Sequence, residues 1–243
     1  MTTIATFAKP KLPPLHHTLL DGAAHLVPPR PGMVASALKA APRGDGHPVI
    51  VVPSFLHGDA HTAPLRRFLA SCGYAALRWG LGTNLGPTAA TLDGIEALLD
   101  AVHRRHGRKV TLIGHSLGGV IARELAKQHP DQVRQLLVLA SPIHLPTASP
   151  LEPVYKLLAH WHSIDPEASA AELNTPPDVP VTAIYTKSDG IVAWQSCREI
   201  EGARRESIEI RGAHGTMVRN LAAWRIIADR LAQPEDEWRA YQE

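Results

Sequence analysis

Residues 110–130 read VTLIGHSLGGVIARELAKQHP. The first five are a continuous apolar, β-branched run, the mark of a strand covered on both faces. LGGVIARELAKQHP opens a helix directly afterwards, so strand, tight turn and helix follow one another without a linker. Working outward, similar short runs stand at 48–53 (PVIVVP), 74–78 (YAALR), 135–140 (QLLVLA), 181–186 (VTAIYT) and 206–210 (ESIEI). Helical stretches separate them. At 62–73, Leu65, Phe68, Leu69 and Cys72 recur at helical spacing. At 88–107, Leu92, Ile95, Leu98, Leu99 and Val102 do the same, and Gly107 is placed to end the helix. Residues 116–129 and 219–232 complete the set. Alternating strands and helices predict an α/β protein: an open, mostly parallel sheet of about six strands with helices on both faces.

Two segments break the alternation. Residues 1–45 are rich in Pro and Ala and predict short helices near Leu15–Leu26 and Met33–Ala41, packed outside the sheet. Residues 142–180 are rich in Pro, with an amphipathic stretch around Pro153–Trp161. An insertion between two strands is where a cap would sit. The whole chain, 1–243, is thus expected to form one domain with a helical extension and a cap. Its 243 residues can bury a large core, and 44% hydrophobic with 20% charged residues describes a globular chain. A net charge of +2 is no footprint for nucleic acid. No apolar run is long enough for a transmembrane helix. The N-terminus MTTIATFAKPKLPPLHH lacks the charged and apolar regions of a secretion signal. A cytoplasmic protein with Cys72 and Cys197 as free thiols is therefore expected.

Gly114-His115-Ser116-Leu117-Gly118 fits G-x-S-x-G. Between a strand and a helix, that pattern lifts the serine onto a strained turn, with the N–H groups of the helix start behind it. A serine hydroxyl is a weak nucleophile until a base takes its proton. After such a turn the acid and then the histidine follow in chain order. Asp189 lies just beyond the run 181–186, and His214 lies just beyond the run 206–210, in the loop RGAHGTM. The predicted catalytic set is Ser116, Asp189 and His214. An oxyanion hole needs two donors. The N–H of Leu117 is one, and the loop Pro53-Ser54-Phe55-Leu56 points to the N–H of Phe55 as the other. Trp161, Trp194 and Phe55 either line an acyl pocket or belong to plain core. His115, beside the serine, is counted with Trp161 and Trp194 among the candidate substrate contacts.

Other patterns carry less. Gly80-Leu81-Gly82-Thr83-Asn84-Leu85-Gly86 fails G-x-G-x-x-G, because Leu85 stands where the third glycine belongs. It reads as a rigid loop near the site. His57 with His61, and His160 with His162, lack a third ligand at zinc spacing, so neither a metal nor a cofactor is expected. HRRHGRK at 103–109 ends a helix, where cations suit the dipole.

The segments GHSLGG at 114–119, SDGIV at 188–192, GAHG at 212–215 and PSF at 53–55 resemble the α/β-hydrolase superfamily on its lipase and esterase side. The stretches 44–53, 63–74, 79–88 and 188–197 also resemble a bacterial branch that carries only a general hydrolase label. The resemblance runs from about Gly46 to Leu231. It implies a minimal six-stranded hydrolase fold and a serine hydrolase that cleaves small-molecule or lipid esters through an acyl-enzyme. It departs from the pattern at Ser54, where such proteins usually carry glycine, and this puts strain on the oxyanion loop in question. The same triad would serve a thioesterase, an amidase or an acyltransferase. A silent binding protein would have no need to keep all three residues.

Overall fold

The computed structural model describes residues 10–24, 31–154 and 174–242. Trp161 and most of the amphipathic stretch at 153–161 lie outside them. In chain order the elements are α1 (Leu15–Ala24), α2 (Pro31–Ala40), β1 (Pro48–Val52), α3 (Asp59–Ser71), β2 (Ala75–Arg78), α4 (Ala89–His106), β3 (Val110–His115), α5 (Leu117–Gln128), β4 (Val133–Leu139), β5 (Val181–Tyr185), β6 (Arg205–Glu209) and α6 (Leu221–Ala232). The strands form one sheet in the order β2-β1-β3-β4-β5-β6. All five pairings are parallel. The fold is that of an α/β hydrolase.

Alternation along each central strand divides the core in two. Val49 and Val51 of β1 face α3 and α6, where they pack with Leu65, Phe68, Leu69, Trp224 and Ile227. Ile50 and Val52 face α4 and α5, packing with Ile95, Leu99, Ile121 and Leu125. Gly107 ends α4 with φ +60°, the left-handed conformation that glycine adopts without strain.

The outer strands differ from expectation. The runs at 74–78 and 206–210 read as strands buried on both faces, yet β2 and β6 are only half-buried. They are the two edges of the sheet. The second run holds Glu206 and Glu209, and Glu206 meets Arg230 of α6 at 3.1 Å. Charges of that kind suit an edge and not a doubly covered strand.

The chain leaves β1 for the edge strand β2 and then returns across β1 to β3. Order therefore reverses between β1 and β3, and the carboxyl ends of strands at such a reversal are where open α/β sheets bind ligands. The loop after β1 and the turn after β3 both lie there.

Candidate active site

Ser116 occupies the turn between β3 and α5, with φ +52° and ψ −124°. A non-glycine residue held there costs about 1–3 kcal/mol. The flanking glycines explain how the turn closes. A Cβ on Gly114 would stand 2.3 Å from the Cα of Gly119, and one on Gly118 would stand 2.4 Å from the carbonyl oxygen of Pro53. Helix α5 thus touches β3 and the end of β1 backbone to backbone. Leu117 is the first residue of α5, so its N–H has no carbonyl one turn back to donate to. The positive end of the helix dipole lies at the same place.

Asp189 follows β5 and is buried. Its Oδ1 accepts from the N–H groups of Ile191 at 2.9 Å and Val192 at 2.7 Å. Its Oδ2 lies 2.8 Å from Nδ1 of His214, which opens the short 3₁₀ helix His214–Arg219. Burial alone would lower the basicity of His214. The Asp189 charge, its hydrogen bond and the Asp21 charge outweigh this and raise its pKa above the usual 6.5. The ring bond of His214 is the one to Asp189, and no hydrogen bond joins Ser116 to it among the described residues. Catalytic hydrogen bonds often tighten only in the substrate complex.

His115 departs from its expected place. It is 1% exposed, and both ring nitrogens face protein. Nε2 lies 2.9 Å from the carbonyl oxygen of His214, which can only accept, so Nε2 carries the hydrogen. Nδ1 then accepts from Nε2 of His61 at 3.1 Å. Burial, with the neighbouring His214 and His61, pushes the pKa of His115 well below the usual value. A neutral His115 therefore supports the backbone of His214 from behind and does not line a cleft. Trp194 is half-buried and stacks on Tyr185 at 5.8 Å, with the Lys187 ammonium 5.5 Å from its ring.

Ser54 carries no left-handed strain. That conformation falls on Leu56, with φ +61°. The Ser54 hydroxyl instead meets Nδ1 of His57 at 3.1 Å. Phe55 lies in the turn between them. Asn84 holds this loop from the Gly-rich stretch 80–86. Its Nδ2 donates to the Pro53 carbonyl at 2.7 Å, and its Oδ1 accepts from Gly86 at 3.0 Å. Its backbone bonds with Leu56 and His57 are both 2.8 Å long. The sequence suggests a rigid loop here but does not single out Asn84.

Asp21 and His61 were also missed. Asp21 of α1 accepts from Gly190 and Gly215, and no local sequence signal links residues so far apart. His61 was visible only as half of a histidine pair.

Among the described residues, no three His, Cys, Asp or Glu side chains are grouped to hold a metal ion. No described helix is long and apolar enough to cross a membrane. Cys72 and Cys197 are both free and buried.

Comparison with known proteins bears on the family and the fold. The family model described as serine aminopeptidase, S33, matches residues 72–195. A lipase of Mycobacterium tuberculosis, LipV, is 35% identical over 98 residues, covering 39% of this chain and 38% of that protein. A pimeloyl-[acyl-carrier protein] methyl ester esterase of Neisseria meningitidis is 46% identical over 55 residues, covering 23% of this chain and 21% of that one. The chain thus spans well under half the length of these curated relatives. Among solved structures, the pyrethroid hydrolase PytH superposes with a TM-score of 0.55 at 17% identity, over 79% of this chain and 100% of that chain. At that identity the likeness concerns the fold.

Proposed function

The chain belongs to the α/β-hydrolase family described as serine aminopeptidase, S33, and from that premise we propose that it is a serine hydrolase cleaving carboxylic esters through an acyl-enzyme. Ser116 attacks the ester carbonyl carbon while His214 takes the hydroxyl proton at Nε2. The tetrahedral intermediate collapses as His214 returns that proton to the leaving alcohol. Water then enters by the same route, and the acid is released. Asp189 holds the imidazole with its hydrogen on Nδ1 and stabilises the cation formed in each step. The N–H groups of Leu117 and Phe55 receive the oxyanion, where one donor is worth about 2.7–4 kcal/mol.

One observation carries this reading. A serine strained at the N-terminus of α5 follows β3, and a buried Asp189–His214 pair with a 2.8 Å hydrogen bond follows β5 and β6, all at the carboxyl ends of parallel strands; this arrangement supports the triad. The names of the partial relatives, a lipase and a methyl ester esterase, support ester chemistry. The family description favours a second reading, hydrolysis of an N-terminal peptide bond. An aminopeptidase needs a carboxylate to receive the substrate ammonium. Both carboxylates that bear on His214, Asp189 and Asp21, are already engaged by backbone N–H groups. Neither of these two is therefore left to receive an ammonium, and the relatives' names favour the ester.

The test is hydrolysis of p-nitrophenyl esters from two to sixteen carbons, beside thioesters and amino-acid anilides, with wild type and Ser116→Ala. Ester turnover should fall by several powers of ten in the variant, on the order of a million-fold in the best-studied triad. A wild type that is folded yet inert on every ester refutes the ester reading. Preference for the anilides would establish the second.

A further inference from the structure

We propose that Asp21, on the N-terminal helix α1, is a positioning residue for this site, holding the acid loop and the base loop in fixed relation through one carboxylate. The inference rests on the hydrolase reading above and deepens it. Asp21 is 2% exposed. Its Oδ2 accepts from the N–H of Gly190 at 2.8 Å, and its Oδ1 accepts from the N–H of Gly215 at 2.9 Å. These are the residues that follow Asp189 and His214. The carboxylate therefore bridges two loops that leave different strands, and it seizes each one residue beyond the side chain that matters.

The seat is built for this contact. A Cβ on Gly190 would lie 2.4 Å from the backbone of His17, so only glycine lets α1 come this close. Thr18 adds a hydrogen bond from its hydroxyl to the Gly190 carbonyl at 2.7 Å. A buried carboxylate needs such partners, because leaving it unpaired would cost several kcal/mol. Two backbone N–H donors satisfy it without neutralising it, so its charge stays available to the nearby imidazole. Among the described residues, the titratable groups that face His214 are Asp189 from the acid loop, Asp21 from α1 and neutral His115 from β3. Asp189 makes the direct bond, and Asp21 adds a second negative charge from the other side of the loop pair. Helix α1 thus completes a site whose three reacting side chains come from elsewhere in the chain.

The experiment uses the full chain with Asp21→Asn, Asp21→Glu and Thr18→Val. The readouts are kcat and KM for a p-nitrophenyl ester between about pH 5 and 9, and NMR titration of the His214 Nδ1–H signal. Asparagine offers one oxygen for two N–H groups, so one loop is released and the charge is lost. Asp21→Asn should lower kcat roughly a hundred-fold with KM little changed, the scale expected when reacting groups are displaced by about 1 Å. Its acid limb and its His214 titration should both move to lower pH. Asp21→Glu keeps the charge but cannot keep both short bonds, so kcat should fall while the acid limb stays. Thr18→Val loosens one tie to the acid loop and leaves the carboxylate, so kcat should fall less than about tenfold and the acid limb should stay in place. Wild-type kcat with an unmoved titration in Asp21→Asn overturns the proposal. So does a Thr18→Val protein that matches Asp21→Asn in both readouts, which would make α1 a mere structural brace. Should Asp21→Asn fail to fold, full kcat in Asp21→Glu overturns it. A wild type without turnover would refute the hydrolase reading, and the His214 titration would still decide the role of Asp21.

Discussion

Replacing Asp189 by asparagine removes a charge and almost no volume, and the structure fixes what the new amide must do. Oδ1 of Asp189 sits between the N–H groups of Ile191 and Val192, at 2.9 and 2.7 Å. Those donors will hold the amide oxygen in the same place, because turning the amide over would set its NH2 against two N–H groups. The NH2 then faces Nδ1 of His214, where Oδ2 now accepts at 2.8 Å. Two donors cannot share that contact, so Nδ1 becomes the acceptor and the imidazole hydrogen moves to Nε2. Nε2 is the atom that must take the serine proton, and it is now occupied. In the serine protease triad this wrong tautomer lowers kcat about 10⁴-fold. That fold-change corresponds to about 5.4 kcal/mol of barrier. Folding should suffer far less, since the pocket keeps its shape. The lost charge-assisted bond is worth roughly 1.5–3 kcal/mol. The assay is kcat on the best p-nitrophenyl ester, with thermal unfolding followed in parallel. A folded Asp189→Asn protein within tenfold of wild type would refute the tautomer argument and the role given to Asp189.

Because the pKa of His214 lies above 6.5, kcat/KM should rise with pH through that raised value as the free base appears. Its stability contribution runs the other way: it is fully present below the unfolded value of 6.5 and is lost as pH rises through the folded one. Opposed pH profiles of rate and unfolding free energy would check both. Gly118→Ala should cost about 1–3 kcal/mol, at roughly 2–4 °C of melting temperature each, because its Cβ meets the Pro53 carbonyl at 2.4 Å. A melting curve unchanged from wild type would show that α5 can retreat freely. Asn84→Ala should lower kcat more than KM rises, since the loop carrying Phe55 loses its tie to Pro53. Equal loss in both constants of a well-folded protein would place the damage elsewhere. Cys72 and Cys197 are buried with pKa values pushed up by desolvation, so neither should react with a thiol reagent until the protein unfolds. Rapid labelling of the native protein would contradict that burial.

Local order carried much of this site. The strand-turn-helix at 110–130 and the position of the glycines around Ser116 are properties of neighbouring residues, so pattern reading found them. The pairing of Asp189 with His214 could be anticipated because each stands just past a strand, and a parallel sheet brings all such ends to one edge. The character of the outer strands was less visible. ESIEI has the length and β-branched content of a core strand, and only its place at the edge of the sheet leaves it half-covered. His115 was misplaced for a similar reason. Proximity to Ser116 in sequence suggested contact with substrate, but His115 is the last residue of the fully buried β3, whereas Ser116 lies beyond it in the turn. The His115 ring turns to His61 and the His214 carbonyl.

The sequence by itself determined the α/β layering, the turn that holds Ser116 and the order in which the proposed acid and base follow it. These rest on hydrophobic period, turn sterics and chain direction, all of which act over a few residues. Only the tertiary structure decided that Asn84 ties the loop after β1, that His115 braces His214 from behind, and that Asp21 joins the two loops across 169 and 194 residues of chain. A buried polar side chain takes its meaning from whichever unpaired N–H or carbonyl the fold brings to it. That partner is chosen by packing between distant segments, where no local pattern in the sequence records it.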